Sequence, residues 1–147
     1  MNKKLLFLFL VISISSQAQW KSLFNGKDLS GFVQRNGKAE YKVIGNAIVG
    51  VSQLNTPNSF LCTEQDYGDF VLEIDVKVEA GLNSGIQIRS LSNPSFNNGR
   101  VHGYQVEIDP GVRDWAGGIY DESRSGWKYP LSVNPKGQKA FKIGQWN

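Results

Sequence analysis

Hydrophobic and polar residues alternate along several short segments, which is the pattern of β-strands with one buried face. The longest is FVLEIDVKVE (70–79), where apolar residues take every second position and charged residues fill most of the rest. YKVIGNAIVGVS (41–52) predicts two short strands joined at Gly45 and Asn46, a hairpin-type dipeptide. No helical period occurs after residue 19.

Further strands are predicted at IQIRS (86–90), GYQVEID (103–109) and GGIYDE (117–122). If the first two pair in one sheet, their apolar residues face the core together, because the buried face sets the register. Their other faces then form one polar surface of Gln87, Arg89, Gln105, Glu107 and Asp109. Short strands, glycine-rich turns and no helices predict an all-β sandwich or jelly roll, built as one domain over residues 20–147.

Glu107 and Asp109 are the candidate reactive pair on this surface. They sit two apart with no basic residue between them, whereas the acidic residues of 70–79 alternate around Lys77 and suit a solvated face. Like charges so placed perturb each other's pKa values, which is common at active sites. Catalytic and structural roles remain equally open for the pair. Their backbone spacing of roughly 6.8 Å fits both glycosidase geometries.

Aromatic and basic residues near the glycine-rich turns after 109 favour a carbohydrate site. Aromatic rings stack on sugar rings, and arginine supplies a fixed fork of hydrogen-bond donors. Successive strand residues face opposite ways, so only one of Asp121 and Glu122 can join this site, and Asp121 is preferred. The aromatic residues near these turns are Trp115, Tyr120 and Trp127, and the basic residues are Arg113 and Arg124.

The only histidine, His102, stands in a glycine-flanked loop, where substrate contact is favoured over zinc ligation. No EF-hand spacing is present, and a divalent metal ion is left open as a cofactor. Cys62, the only cysteine, cannot form an internal disulfide and is expected to be a small buried hydrophobe.

Residues 1–19, MNKKLLFLFLVISISSQAQ, have the composition of a secretory signal peptide, with an apolar run too short to span a membrane. The run is not followed by a lipoprotein cysteine, so export to the periplasm or the outside of the cell is expected. Without Lys3 and Lys4, the 16 basic residues become 14 against 13 acidic ones. Such a balance gives no electrostatic reason to expect nucleic acid or an anionic membrane as a partner.

Three ordered motifs resemble the 3-keto-disaccharide hydrolase domain family: SLFNGKDLSGF (22–32), DFVLEIDVKVEAGLNSGIQIRS (69–90), and GYQVEID followed by GGIYDE and Trp127. The resemblance implies a concanavalin A-like jelly-roll sandwich of two antiparallel sheets. The family pattern continues beyond a Trp-Asn pair like Trp146-Asn147, so the chain is expected to lack the last strands.

The resemblance also implies a carbohydrate substrate, a glycoside oxidised to a ketone at the third sugar carbon, and cleavage by hydrolysis or elimination. The resulting hypothesis assigns Glu107 as base or acid, Asp109 as its partner or a metal ligand, and Arg89 as the stabiliser of the enolate. A noncatalytic sugar-binding module, an ordinary glycosidase and an adhesion domain are the alternatives. The expected sugar contacts are Gln87, Gln105, His102, Tyr120, Asp121, Arg124 and Trp127.

Overall fold

The computed structural model describes residues 19–147, so the predicted signal peptide, apart from Gln19, lies outside the described residues. This range forms antiparallel sheets and two short 3-10 turns, at Leu131–Val133 and Pro135–Gly137. No helix within it is long and apolar enough to cross a membrane. The strands are β1 Phe32–Asn36, β2 Glu40–Ile44, β3 Ala47–Val51, β4 Ser59–Thr63, β5 Ser84–Leu91, β6 His102–Ile108, β7 Ile119–Glu122 and β8 Gly126–Tyr129.

The strands form two two-stranded sheets, β1–β4 and β2–β3, and one four-stranded sheet in the order β5-β6-β7-β8. This nearly all-β architecture with antiparallel sheets is consistent with a jelly-roll sandwich. The predicted hairpin is confirmed, because Ile44 pairs with Ala47 across a two-residue turn. Gly45 stands there at φ +60°, a conformation that glycine adopts without steric cost.

The loop before β1 is held by its own side chains. Asn25 Oδ1 accepts hydrogen bonds from the backbone N–H groups of Lys27 and Asp28, at 2.8 and 3.0 Å. Asp28 Oδ1 in turn accepts from Asn25 Nδ2 and from the N–H of Ser30. Hydrogen bonds from Ser30 and Asn25 lower the pKa of Asp28 to about 2. The motif NGKDLSG therefore builds a turn.

The prediction that residues 70–79 form a strand of a sheet is wrong. Within residues 19–147, its backbone pairs at only two places. Val76 and Asn147 exchange N–H···O bonds of 3.1 and 3.0 Å, and the N–H of Gly144 donates to Val78 O at 2.9 Å. An extended segment becomes a strand only where a neighbour continues the ladder, and these contacts are too few to do so.

Asn36 joins β1 to the loop that precedes β6. Its side chain accepts a 2.8 Å hydrogen bond from the N–H of Val101 and donates a 3.1 Å bond to Gly99 O. Asn36 has φ +57°, which asparagine tolerates better than most residues. This contact fixes the entry into β6.

Buried residues lie on both sides of the four-stranded sheet, and the side predicted to face the core is not uniformly buried. Tyr104, on the side predicted to face the core, is 42% exposed, whereas Glu107 is 4% exposed. Cys62 is half-buried rather than fully buried, and desolvation raises the pKa of its thiol. The buried hydrophobic residues within 19–147 are Val101, Ile108 and Leu131, and the buried polar ones are His102, Gln105, Glu107, Asp109, Asp121 and Glu122.

Candidate functional site

The pairing of β5 to β8 places a row of side chains on one side of the sheet. Gln87 pairs with Gln105, Gln105 with Tyr120, and Tyr120 with Trp127. Directly paired residues of antiparallel strands project to the same side, and Glu107 joins them by alternation along β6. We call this surface the polar face, defined by Gln87, Gln105, Glu107, Tyr120 and Trp127.

Glu107 is the buried carboxylate of the polar face. Asn83 Nδ2 donates to its Oε1 at 2.8 Å, and Gln105 Nε2 donates to its Oε2 at 2.9 Å. Within the described range, no lysine, arginine or histidine forms an ion pair with it. Neutral amides thus satisfy both oxygens without cancelling the charge, which leaves a carboxylate able to accept a proton.

The amides leading to Glu107 form a directed chain of hydrogen bonds. Ser90 Oγ donates to Gln87 Oε1 at 2.5 Å, and Gln87 Nε2 donates to Gln105 Oε1 at 2.7 Å. Gln105 then donates to Glu107. Each amide accepts on one side and donates on the other, so every donor points toward the carboxylate. Such chains polarise each other and hold their members in one orientation.

Asn83 and Gly85 are site residues that the sequence patterns did not reveal. Gly85 lies directly opposite Glu107 in the β5–β6 register. A Cβ at Gly85 would lie 2.3 Å from Cδ of Gln105, so only glycine leaves room for the Gln105 side chain. In the sequence, Asn83 and Gly85 are noticeable only as part of the turn LNSG. Their role can be recognised only once the β5–β6 register is known.

Three aromatic rings cluster beside the amide chain. The Trp127 ring lies edge-to-face against Trp115 and Tyr120, with centroid distances of 4.8 and 5.3 Å. The guanidinium of Arg113 lies 5.2 Å from the Trp115 centroid and 5.4 Å from that of Trp127. The cluster gives the polar face an apolar, electron-rich flank of the kind that packs against sugar rings.

Asp109 follows Glu107 along the chain, but its carboxylate pairs outside the amide chain. Asp109 Oδ2 lies 2.7 Å from Arg113 Nη2, so the arginine pairs with this buried carboxylate. Arg113 is one of the basic residues that the sequence pattern grouped near the expected sugar site, but it was not among the assigned sugar contacts. The proposed partnership of Asp109 with Glu107 remains a prediction.

Arg89 is separated from Glu107, contrary to the predicted common surface. A β-bulge interrupts the β5–β6 register after Ile88, and Arg89 adopts φ +51° within it. Its guanidinium instead pairs with Asp69 at 2.6 Å on the exposed surface. Four residues along β5 also separate Arg89 from the residue opposite Glu107, a distance of roughly 13 Å. The bulge re-aims this side chain.

Asp121 and Arg124 lie on the other side of the sheet, so their predicted grouping with Glu107 is wrong. Asp121 pairs with Tyr104, the neighbour of Gln105 that projects the opposite way. Arg124 Nε donates to Asp121 Oδ1 at 2.6 Å, and its guanidinium lies 5.2 Å from the Tyr104 centroid. Glu122 has the parity of the polar face, but it pairs with Arg100 at 3.1 Å.

His102 also alternates to the side away from Gln105. Its ring lies 3.9 Å from that of Phe96, centroid to centroid, at an interplanar angle of 31°. Nδ1 lies 2.9 Å from Arg100 O, which can only accept, so Nδ1 carries the hydrogen. His102, which was predicted to contact the sugar, is therefore packed against Phe96 at the start of β6.

The described part of the chain shows no set of side chains that could bind the divalent metal ion left open by the sequence. Across residues 19–147, no three histidine, cysteine, aspartate or glutamate side chains gather closely enough to hold a metal ion. Asp109 has an arginine as its charged neighbour, and its role as a metal ligand stays a prediction.

Gly85→Ala is expected to destabilise the protein by about 1–3 kcal/mol, because the added methyl displaces Gln105 from its hydrogen bond with Glu107. Gly68→Ala is the matched control, since a Cβ there meets nothing within 4 Å, and it should change stability by less than about 0.5 kcal/mol. Urea unfolding of both variants provides the measurement. Equal midpoints would contradict the steric role of Gly85.

Asp121 is expected to make the fold sensitive to acid. A hydrogen bond from Ser125, together with Arg124 and Lys128, lowers the pKa of Asp121 below its ordinary value. The stabilisation is complete above the unfolded pKa, near 3.9, and is lost as pH falls through the lower folded pKa. Asp121→Asn should therefore be less stable at pH 7, and its stability should fall less steeply below about pH 4.

Thermal unfolding between pH 7 and pH 2 tests this sensitivity. Asp66→Asn removes the same charge from a side chain with no hydrogen bond or ion pair within the described range. If both variants showed the wild-type slope below pH 4, the Asp121 cluster would not be the acid-sensitive element.

Comparisons with known proteins identify the family to which this chain belongs. Among curated proteins, none matches this chain. A family model described as the 3-keto-alpha-glucoside-1,2-lyase-like domain matches residues 19–147, the whole range that the structure describes. The match agrees with the motifs at 22–32 and 69–90 and relates the protein to carbohydrate chemistry. The chain therefore belongs to the family of 3-keto-alpha-glucoside-1,2-lyase-like domains.

Proposed function

We propose that the polar face binds a glycoside carrying a ketone at the third sugar carbon and cleaves its glycosidic bond. Glu107 is the observation that carries this proposal. It is a buried carboxylate with two amide donors and no ion-pairing cation within residues 19–147. A base of this kind suits proton transfer from carbon, and the aromatic cluster beside it suits a sugar ring.

The ketone makes the proton on the second sugar carbon acidic. Glu107 takes this proton, and the electrons of the broken C–H bond form an enolate with the ketone. Collapse of the enolate expels the oxygen substituent on C1 and leaves a C1=C2 double bond conjugated to the ketone. The leaving oxygen takes a proton from a water molecule, the hydroxide that remains adds to C1, and Glu107 returns its proton to C2.

Tyr120 is proposed as the donor that stabilises the enolate oxygen. Arg89, first assigned to this role, pairs with Asp69 away from Glu107. Tyr120 stands directly across from Gln105, and its hydroxyl has no hydrogen-bond partner within the described residues. A donor placed at the developing negative charge lowers the barrier to proton removal.

Glu107→Gln is expected to lower kcat on a 3-keto-disaccharide by about 100-fold or more, because glutamine cannot accept the proton. Glu73→Gln, on the exposed segment 70–79, is the control and should retain wild-type turnover. Turnover is measured on a 3-keto-disaccharide and on its unoxidised parent, and only the ketone should be cleaved. Glu107→Asp keeps the carboxylate and should recover part of the activity.

The outcomes separate the alternatives. Wild-type turnover by Glu107→Gln, with unfolding curves intact, would remove Glu107 from the chemistry. Binding of both sugars without cleavage of either would favour a noncatalytic sugar-binding module. Equal cleavage of the oxidised and unoxidised sugars would favour an ordinary glycosidase.

We also propose that the protein is exported, on the basis of the signal-peptide composition of residues 1–19. Expression with its natural N-terminus in a bacterium should yield a mature chain beginning after Ala18 or Gln19. N-terminal sequencing of the periplasmic and secreted fractions checks this, and an intact Met1 on all of the protein would contradict export by cleavage.

A further inference from the structure

The amide chain that leads to Glu107 starts at Ser90, a residue of the β-bulge in β5. Regular alternation along β5 would place Arg89 on the side of Gln87 and Ser90 on the opposite side. The bulge, in which Arg89 adopts φ +51°, breaks this alternation. Ser90 Oγ instead lies 2.5 Å from Gln87 Oε1. The bulge therefore brings a hydroxyl group, and not a guanidinium, to this end of the polar face.

Gly103 leaves the space that Ser90 occupies. Gly103 alternates to the same side of β6 as Gln105. A Cβ at Gly103 would lie 2.6 Å from Oγ and 2.8 Å from Cα of Ser90, and its φ of +139° also favours glycine. Gly85 makes room for Gln105 in the same way at the other end of the chain. The position of Ser90 is thus determined by both strands.

The charge of Glu107 sets the direction of the chain. A carboxylate can only accept hydrogen bonds, so Gln105 turns its Nε2 to Glu107, at 2.9 Å. Its Oε1 then accepts from Gln87 Nε2, at 2.7 Å. Gln87 Oε1 is left to accept, and the hydroxyl of Ser90 is its donor. While Glu107 is ionised, Ser90 supplies the first hydrogen of the chain.

Ser90 also has acceptors that allow the opposite direction. Its Oγ lies 3.2 Å from Ile88 O and 3.4 Å from Tyr104 O, and backbone carbonyls can only accept. A hydroxyl carries one hydrogen and two lone pairs. Ser90 can therefore donate to one of these carbonyls and accept a hydrogen bond from Gln87 Nε2. An alanine at this position could end the chain in neither direction.

The reversed chain matches a protonated Glu107. With Ser90 turned, Gln87 Oε1 accepts from Gln105 Nε2, and Gln105 Oε1 faces Glu107. A carboxylic acid has an O–H donor, for which this oxygen is the acceptor. In the proposed reaction, Glu107 carries the C2 proton between its removal and its return, and the O–H turns about its C–O bond toward Gln105. The proton stays on Glu107, and only two amides and one hydroxyl turn.

A second buried carboxylate lies near Ser90, but it has its own partners. Glu122 pairs with Gly103 in the β6–β7 register and so lies on the polar side of the sheet. Its Oε1 accepts from Arg100 Nη2 at 3.1 Å and from Ser123 Oγ at 2.9 Å. Within residues 19–147, Ser90 forms no hydrogen bond to a charged side chain. Its hydroxyl is therefore free to follow the amide chain.

We propose that Ser90 is a positioning residue whose hydroxyl ends the amide chain in either direction, so that Gln105 offers Glu107 a donor when it is ionised and an acceptor when it is protonated. The effect on catalysis rests on the proposed function. The reversal of the hydrogen bonds does not, because it follows from the partners of Ser90, Gln87 and Gln105 alone.

Neutron diffraction from deuterium-exchanged crystals tests the reversal, because it locates the hydrogens. In the wild type at neutral pH, Ser90 should donate to Gln87. Glu107→Gln imitates the protonated acid, since its amide keeps an oxygen for Asn83 and offers an N–H to Gln105. In this variant, Gln105 should present its oxygen, and Ser90 should donate to a backbone carbonyl.

Glu122→Gln is the matched control, because it removes the charge of a buried polar-side carboxylate outside the chain. It should keep the wild-type direction. Unchanged orientations of Gln87 and Gln105 in Glu107→Gln, with only Asn83 turned, would overturn the proposal. So would a reversed chain in Glu122→Gln. Neither result depends on a Ser90 variant that folds.

Turnover tests the positioning role. Ser90→Ala should lower kcat on a 3-keto-disaccharide by about tenfold and leave KM within about threefold, because a lost hydrogen bond misaligns Glu107 without removing a sugar contact. Ser90→Thr keeps the hydroxyl and should recover part of the loss. Ser95→Ala, which removes a loop hydroxyl bonded to Asn93 at 2.9 Å, is the control and should behave as the wild type does.

The outcomes separate this inference from the proposed function. Reversal in Glu107→Gln, without cleavage of any 3-keto sugar by the wild type, would retain the two-directional chain and reject the cleavage proposal. Wild-type kcat in a folded Ser90→Ala protein would overturn the positioning role. Loss of turnover in Glu107→Gln would then still support the proposed function.

Discussion

The pairing of β6 with its two neighbours is the constraint on which the rest of the site depends. Strand side chains alternate with a period of two. A shift of the β6 register by one residue would therefore place Tyr104 instead of Gln105 on the polar face. The observed register sets Gln105 between Gln87 and Tyr120, and Glu107 opposite Gly85. The space left by that glycine admits Gln105, whose amide then reaches Glu107.

Burial of Glu107 among neutral amides links stability to function. A salt bridge would offset the charge of this carboxylate, as Arg113 does for Asp109 and Arg124 for Asp121. Amide donors satisfy its oxygens while leaving the negative charge in place. The sheet and the loop after β6 therefore contain four buried carboxylates, and within the described range only Glu107 lacks an arginine partner.

Much of the site could be predicted from the alternation of side chains along each strand. The residues that this alternation misplaced have identifiable physical causes. Gln87, Gln105 and Glu107 share a face as predicted, because each lies in a regular part of its strand. Arg89 departs because a bulge breaks the period of two. Tyr120 and Asp121 are adjacent in β7, so alternation alone forbids both from joining the polar face.

The sequence by itself determined the antiparallel β character, the hairpin at Gly45-Asn46 and the family, whereas the pairing of β5 with β6 was an assumption that the structure then showed to be correct. These properties follow from local patterns and turn residues, and from ordered motifs that a single chain displays. Only the tertiary structure decided the partners of each polar group, including Asn83 with Glu107 and Arg113 with Asp109. Such contacts depend on register, on a bulge and on the path of a loop, which have no local signature because they arise when distant segments pack together.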